Sequence, residues 1–402
     1  MKRIGLPSRL AVFWPIIALN IILLGLTWLS TTAPETSILW KITSYFNLAY
    51  ELNIAVWIVG LFLVLSSLLA FEVFRTSPTS TRYAWLCLAI VFVLLSWDEI
   101  GSFHERIGDQ GWAAYVPIAV GLGVPCAYAI ITLWRSAETR RSALLIILGF
   151  GLLASVVFQE FLESQGLGLM IGNGLRTVIE EGSELFAILL FLIALTPHLK
   201  RPSGLRGPSS LVPSLRTFRG LLIPIAVGAC LHLALIPTTL SYTDIGQRGD
   251  PGVWYPSAMF FVLALWSVAA MLQRNRYAYR LLALAALVSS VAAMYLLSEP
   301  LNARLIWLNP VAHGALLCVF ALLYIRIYGF GPRRNGFLLL FLLALTWLNA
   351  INNMEATRYV TLGGFALILT TTCFIRIPAG IPMVTETRVE ANRSIPTSSV
   401  NV

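Results

Sequence analysis

The sequence predicts an all-α polytopic membrane protein of about 12 transmembrane helices in two six-helix halves, both termini cytoplasmic. Three observations carry that prediction. The chain of 402 residues is 57% hydrophobic and only 12% charged, with a mean hydropathy of +0.79, whereas soluble domains carry roughly 25% charged residues. Its apolar residues fall into runs of spanning length. Its arginines gather in alternate loops.

The runs cover roughly residues 10–30, 48–73, 83–101, 113–134, 142–162, 175–196, 220–240, 254–273, 280–297, 306–328, 336–351 and 359–377. In lipid, a helix satisfies the backbone of such a run internally, and about 20 apolar residues suffice to span. Lys2, Arg3 and Arg9 precede the first run, a pattern shared with signal sequences. Its length instead predicts a retained first helix.

Orientation comes from the loops. Arg75 and Arg82 follow the second run, Arg135, Arg140 and Arg141 the fourth, and Lys200, Arg201, Arg206, Arg216 and Arg219 the sixth. Arg274, Arg276 and Arg280 follow the eighth, and Arg326, Arg333 and Arg334 the tenth. The alternate loops hold few basic residues. The rule that basic loops stay inside places both termini in the cytoplasm and the chain in a bacterial inner membrane. Residues 1–196 form the first half, 197–219 a Pro-, Ser- and Arg-rich cytoplasmic linker, 220–378 the second half, and 379–402 a polar tail predicted to be disordered.

The net charge of +9 does not indicate nucleic acid, because the basic residues are spent on short loops and no basic stripe with stacking aromatics accompanies them. The expected partner is the lipid bilayer itself. All five cysteines (Cys87, Cys126, Cys230, Cys318, Cys373) lie inside apolar runs without a CxxC pair, which predicts small packing residues. Tryptophans at the ends of runs, such as Trp28, Trp40, Trp97, Trp112, Trp254 and Trp307, read as interfacial anchors.

The acids carry the functional signal. Of 19 acidic residues, nine fall on the outer side of the first half: Glu51, Asp98, Glu99, Glu105, Glu160, Glu163, Glu180, Glu181 and Glu184. Asp98, Glu99, His104 and Glu105 close the third run, Glu160 and Glu163 the fifth, and the Glu180 set opens the sixth. Carboxylates at membrane depth are expensive and point to function. Arg106 and Arg176 are the nearby cations. Crowded like charges raise one another's pKa or recruit a cation. The expected site residues are therefore Asp98, Glu99, His104 and Glu105 for acid/base work, with Asp98, Glu99, His104, Glu160, Glu163, Glu180, Glu181 and Glu184 as ligands of a divalent metal ion. Oxygen-rich ligation leaves Mg, Ca, Mn, Fe and Zn open. Glu35, Glu72, Asp109 and Glu138 read as solvated acids, and His198 as a loop residue without a role. His232 and His313 lie inside later runs. Glu299, Asn302, Arg304, Asn309, Asn349, Asn352, Asn353, Glu355 and Arg358 form an amide-rich set on the outer side of the second half.

The pattern Ser96-x-Asp98-Glu99-x4-His104-Glu105, with the later Glu180-Glu181-Gly182-x-Glu184, resembles a group of uncharacterised bacterial multipass membrane proteins. Those proteins carry an "SLDE…HE" stretch and an "EEG.E" stretch, and the resemblance covers roughly residues 83–196. It implies that these residues matter and brings no assigned reaction. A looser similarity to membrane hydrolases of the alkaline ceramidase type lacks their histidine cluster, and one to di-iron carboxylate bundles lacks the Glu-x-x-His pairs. Three functions follow as expectations: a metal-dependent membrane enzyme acting on a lipid or membrane-associated substrate, a proton- or cation-coupled transporter using the same carboxylates, and a structural membrane protein.

Overall fold

The computed structural model describes residues 13–49, 54–101, 115–164, 173–199, 213, 215–221, 224–225, 227, 251–274 and 277–297. All regular structure among them is helical. In chain order the helices are α1 (Trp14–Thr32), α2 (Ile38–Thr43), α3 (Ile54–Thr76), α4 (Thr79–Gly101), α5 (Tyr115–Arg135), α6 (Arg140–Ser164), α7 (Asn173–Leu195), α8 (Leu215–Gly220), α9 (Pro251–Arg274) and α10 (Tyr277–Leu297). Eight of these correspond to apolar runs. The runs at 306–328, 336–351 and 359–377, most of 220–240, the start of the chain, most of the linker and the tail lie outside the described residues.

Among the described residues, five helices are long and apolar enough to cross a membrane: α1, α3, most of α4, most of α6 and most of α9. Helix α7 is 23 residues long but is not among them, because Arg176, Glu180, Glu181 and Glu184 interrupt its first half. The surface agrees with a lipid environment. Large apolar side chains such as Trp14, Ile21 and Ile22 on α1, Val120, Val124 and Ile131 on α5, and Leu148 and Phe158 on α6 face outwards. Hydroxyls instead lie inside: Ser66, Ser67, Ser96, Ser257 and Ser290 are buried. Between helices in lipid, small polar residues bond across the contact and let backbones approach.

Helix α3 is the centre of the bundle. It packs against α4, α7, α8, α9 and α10, and 78% of its apolar stretch is buried. Glu72, one turn before its end, is only 6% exposed. The expectation of a solvated acid is corrected here: in a helix surrounded on most sides, a residue near the end still faces neighbours. Glu72 is not without a partner there.

Cross-helix bonds fix the directions. Ser67 Oγ donates to Ala89 O at 2.7 Å and Ser96 Oγ to Gly60 O at 2.8 Å, so α3 and α4 run antiparallel. Asn20 Nδ2 donates to Leu185 O at 3.4 Å, and Gly174 approaches Thr31, so α1 and α7 run antiparallel. Ser142 Oγ donates to Ala194 O at 2.8 Å, and Phe150 meets Phe191 with ring centroids 4.9 Å apart, so α6 and α7 do too. Ser257 and Ser290 bond reciprocally, Oγ to carbonyl, at 2.9 and 2.6 Å, joining α9 to α10. The ends of α1, α4, α6 and α10 therefore share one end of the bundle with the starts of α3, α7 and α9. The opposite end carries Arg75, Arg82, Arg135, Arg140 and Arg280. Two of these arginines lie over aromatic rings, Arg82 over Phe74 at 4.6 Å and Arg140 over Trp134 at 5.9 Å.

Candidate functional site

The end of the bundle away from the arginines is where the acids go. Asp98 and Glu99 occupy the last turn of α4 and are half-buried, followed by the buried Ile100. Glu160 and Glu163 lie on the last turns of α6. Glu180, Glu181 and Glu184 lie in the first half of α7, all half-buried, with Arg176 one turn before Glu180. Asp98, Glu99, Arg176, Glu180, Glu181 and Glu184 are each engaged by a neighbour. His104, Glu105 and Glu51 lie outside the described residues, as do the side chains of Glu160 and Glu163.

Aromatic contacts set the register of α4 against α7. Trp85 of α4 packs on His198, in the short 3-10 turn that ends α7, with ring centroids 5.0 Å apart. Seven residues further along α4, Phe92 packs on Phe191, seven residues earlier in α7, at 4.8 Å. Seven residues is two turns, about 10 Å along a helix, and returns to the same face. Continued by seven residues on each helix, the same spacing leads to Glu99 on α4 and Glu184 on α7. Helix α6 joins at the same aromatic level, where Phe150 meets both Phe92, at 6.4 Å, and Phe191. Ten residues beyond Phe150 is Glu160, and ten before Phe191 is Glu181. The three acidic helix ends thus share one level.

Ser96, the first residue of the acidic stretch, has a definite job. Its hydroxyl donates to Gly60 O of α3 and accepts from Trp254 Nε1 of α9 at 3.1 Å. Trp254 also packs on Trp97, with centroids 6.2 Å apart. Nearby, Trp57 Nε1 donates to Ser257 Oγ at 2.6 Å. The second half therefore grips α4 one residue before Trp97 and two before Asp98. Trp97 and Trp254, expected as interfacial anchors, pack against each other; Trp28 remains exposed as an anchor would. Gly60 permits the approach, since a Cβ there would run into the Ile100 side chain.

His198 also carries more than its sequence suggested. Its Nε2 lies 2.8 Å from Ser142 Oγ, and its ring packs at a tilt against Trp85. Burial pushes its pKa below the usual imidazole value, with the carboxylate of Glu138 acting weakly the other way. The missed signal was structural, as His198 and its two partners are far apart in the chain.

Among the described residues, no group of three or more His, Cys, Asp or Glu is placed to hold a metal ion. A metal on this end would need a ligand from His104, Glu105, Glu160 or Glu163 beside the carboxylates of α4 and α7. Cys87 and Cys126 are free thiols within α4 and α5. His232, His313 and the amide-rich set of the second half lie outside the described residues.

Residues 11–198 match a family model described as a domain of unknown function (DUF8692). The match spans α1 to α7, contains every carboxylate of the candidate site, and ends at His198. No curated protein and no solved structure matches the chain.

Proposed function

We propose that this chain is a metal-dependent membrane enzyme that works through the carboxylates gathered at one end of its first six helices. It lies in the inner membrane with twelve helices, both termini in the cytoplasm, and the carboxylate end towards the periplasm. The arginines at the opposite end support that orientation. Its substrate is a lipid or a membrane-associated molecule, since the acids sit where helices meet the edge of the apolar layer.

The observation that supports this reading is the seven-residue spacing of the Trp85–His198 and Phe92–Phe191 contacts of α4 on α7; one further step of it would set Glu99 opposite Glu184. Carboxylates facing each other at low polarity stabilise a shared cation or a shared proton. Glu99, Glu184 and Glu160 would hold a divalent ion, with Asp98 and Glu181 positioned to accept or deliver protons beside it. Such an ion, when bound, lowers the pKa of a water and polarises a substrate oxygen.

Elemental analysis of the detergent-purified chain, prepared without chelator and with trace metals supplied, tests this reading. Near-stoichiometric divalent metal is expected in the wild type and its loss in Glu160→Gln and Glu184→Gln. Binding should weaken as pH falls through the carboxylate range, since protons compete for the ligands. A metal-free wild type would remove the enzyme reading.

The second reading is a proton- or cation-coupled transporter with the same acids. It is supported by the position of Glu180, Glu181 and Glu184, half-buried in the first half of α7, since carboxylates at membrane depth can carry protons. Substrate uptake driven by an imposed pH gradient, without copurifying metal, would identify it.

A further inference from the structure

Helix α2 is six residues long and joins the end of α1 to the segment leading into α3, at the carboxylate end of the bundle. It is held firmly. Ser37 caps it, accepting from Trp40 N–H at 3.0 Å. Beyond it, Asn47 Nδ2 donates to Ser30 Oγ at 3.1 Å and Leu48 N–H donates to Thr27 Oγ1 at 3.0 Å, fastening the chain to the last turns of α1. Thr43 and Asn47 are buried beneath it.

The face turned away from the bundle is apolar. Ile38 is 76% exposed, Ile42, one turn on, 58%, and Leu39 and the following Tyr45 are 48% and 55% exposed. In water such a stripe on a firmly held element is unfavourable. Trp28 and Leu29 near the end of α1, a helix long and apolar enough to span, are exposed as well. Lys41, the one charged residue of α2, is exposed beside the stripe. Its stem can lie along the apolar surface while its ammonium reaches headgroup phosphates.

We propose that α2 is an interfacial helix, and that the partner of its Ile38–Leu39–Ile42–Tyr45 face is the lipid leaflet at the carboxylate end of the bundle. The surface rests on the chain being a membrane protein and not on the chemistry of the acids. Metal analysis and the following test therefore fail independently.

Nitroxide labels report the environment directly. The full chain, with its native cysteines replaced, would carry a label at Ile38→Cys, Ile42→Cys or Tyr45→Cys, or at the exposed loop control Glu35→Cys. Each is reconstituted in vesicles of phosphatidylcholine and phosphatidylglycerol. Power saturation should show the three α2 labels open to oxygen and shielded from a water-soluble nickel chelate, and the Glu35 label open to the chelate. Chelate access at Ile38, Ile42 and Tyr45 equal to that at Glu35 would place α2 in water and overturn the proposal. Shielding from both reagents would mean that protein, a second copy or another part of this chain, covers the face, and would overturn it equally. Agreement among three separate label positions guards against one label disturbing the helix.

Discussion

Phe92 and Phe191 face each other with ring centroids 4.8 Å apart, two helical turns from Glu99 on one helix and two turns from Glu184 on the other. Both rings are fully buried, and Phe150 completes the cluster. Gly149 on α6 lies so close to the Phe191 ring that a Cβ would collide with it. Gly149→Ala should therefore destabilise the fold by about 1–3 kcal/mol through overpacking. Phe191→Leu should relieve part of that loss when the two are combined. Thermal unfolding of the single and double variants in detergent measures this; strictly additive losses would mean the ring and the glycine are not in contact.

Ser96 joins three helices through one hydroxyl. Ser96→Ala removes the donor to Gly60 O and leaves Trp254 Nε1 without its acceptor in a partly buried site. A loss of about 1–3 kcal/mol is expected. Trp254→Phe removes the other partner of the same bond, so the double variant should lose less than the sum of the two singles. Additivity in the cycle would argue against the bond between the halves.

His198 makes stability depend on pH. Its folded pKa lies below the ordinary imidazole value because burial disfavours the charged ring. The unfolded chain consequently takes up the proton first as pH falls. The neutral ring's contribution is present above about pH 6.5, the ordinary imidazole value, and is lost as pH drops below it. Melting temperatures between pH 7.5 and 5 should fall for the wild type and fall less for His198→Gln. Equal slopes would show that the ring does not govern this transition.

Glu72 and Glu181 separate structure from chemistry. Glu72 is buried in the central helix, so Glu72→Ala should lower thermal stability without changing the metal content proposed for the carboxylate end. Glu181→Gln changes a half-buried residue by little in shape and should leave stability within about 0.5 kcal/mol while impairing metal binding. The reverse assignment would place the working acid on α3.

Much of the helical frame was legible in the sequence. The eight long described helices coincide with apolar runs to within a few residues, because lipid exposure makes whole helices apolar. The same uniformity hid which face packs on which. The burial of Glu72 could not be read from α3, whose apolar residues surround the whole helix. Helix α2 escaped notice because six residues carry no period. Ser96 opened the acidic stretch yet had no assigned role, since its partner Trp254 lies 158 residues away. That Asp98, Glu160 and the Glu180 set lie near the ends of their helices was legible in the sequence, as each falls close to a run's end.

The proposed meeting of Glu99 and Glu184 is tested most directly by cross-linking. In a background lacking the native cysteines, the variant Glu99→Cys/Glu184→Cys should form an intramolecular disulfide under mild oxidation, identified by mass spectrometry of the linked peptides. Glu99→Cys/Ile179→Cys, whose second position is exposed on α7, should not. No linked peptide in the first variant, or equal linkage in both, would contradict the register on which the carboxylate site rests.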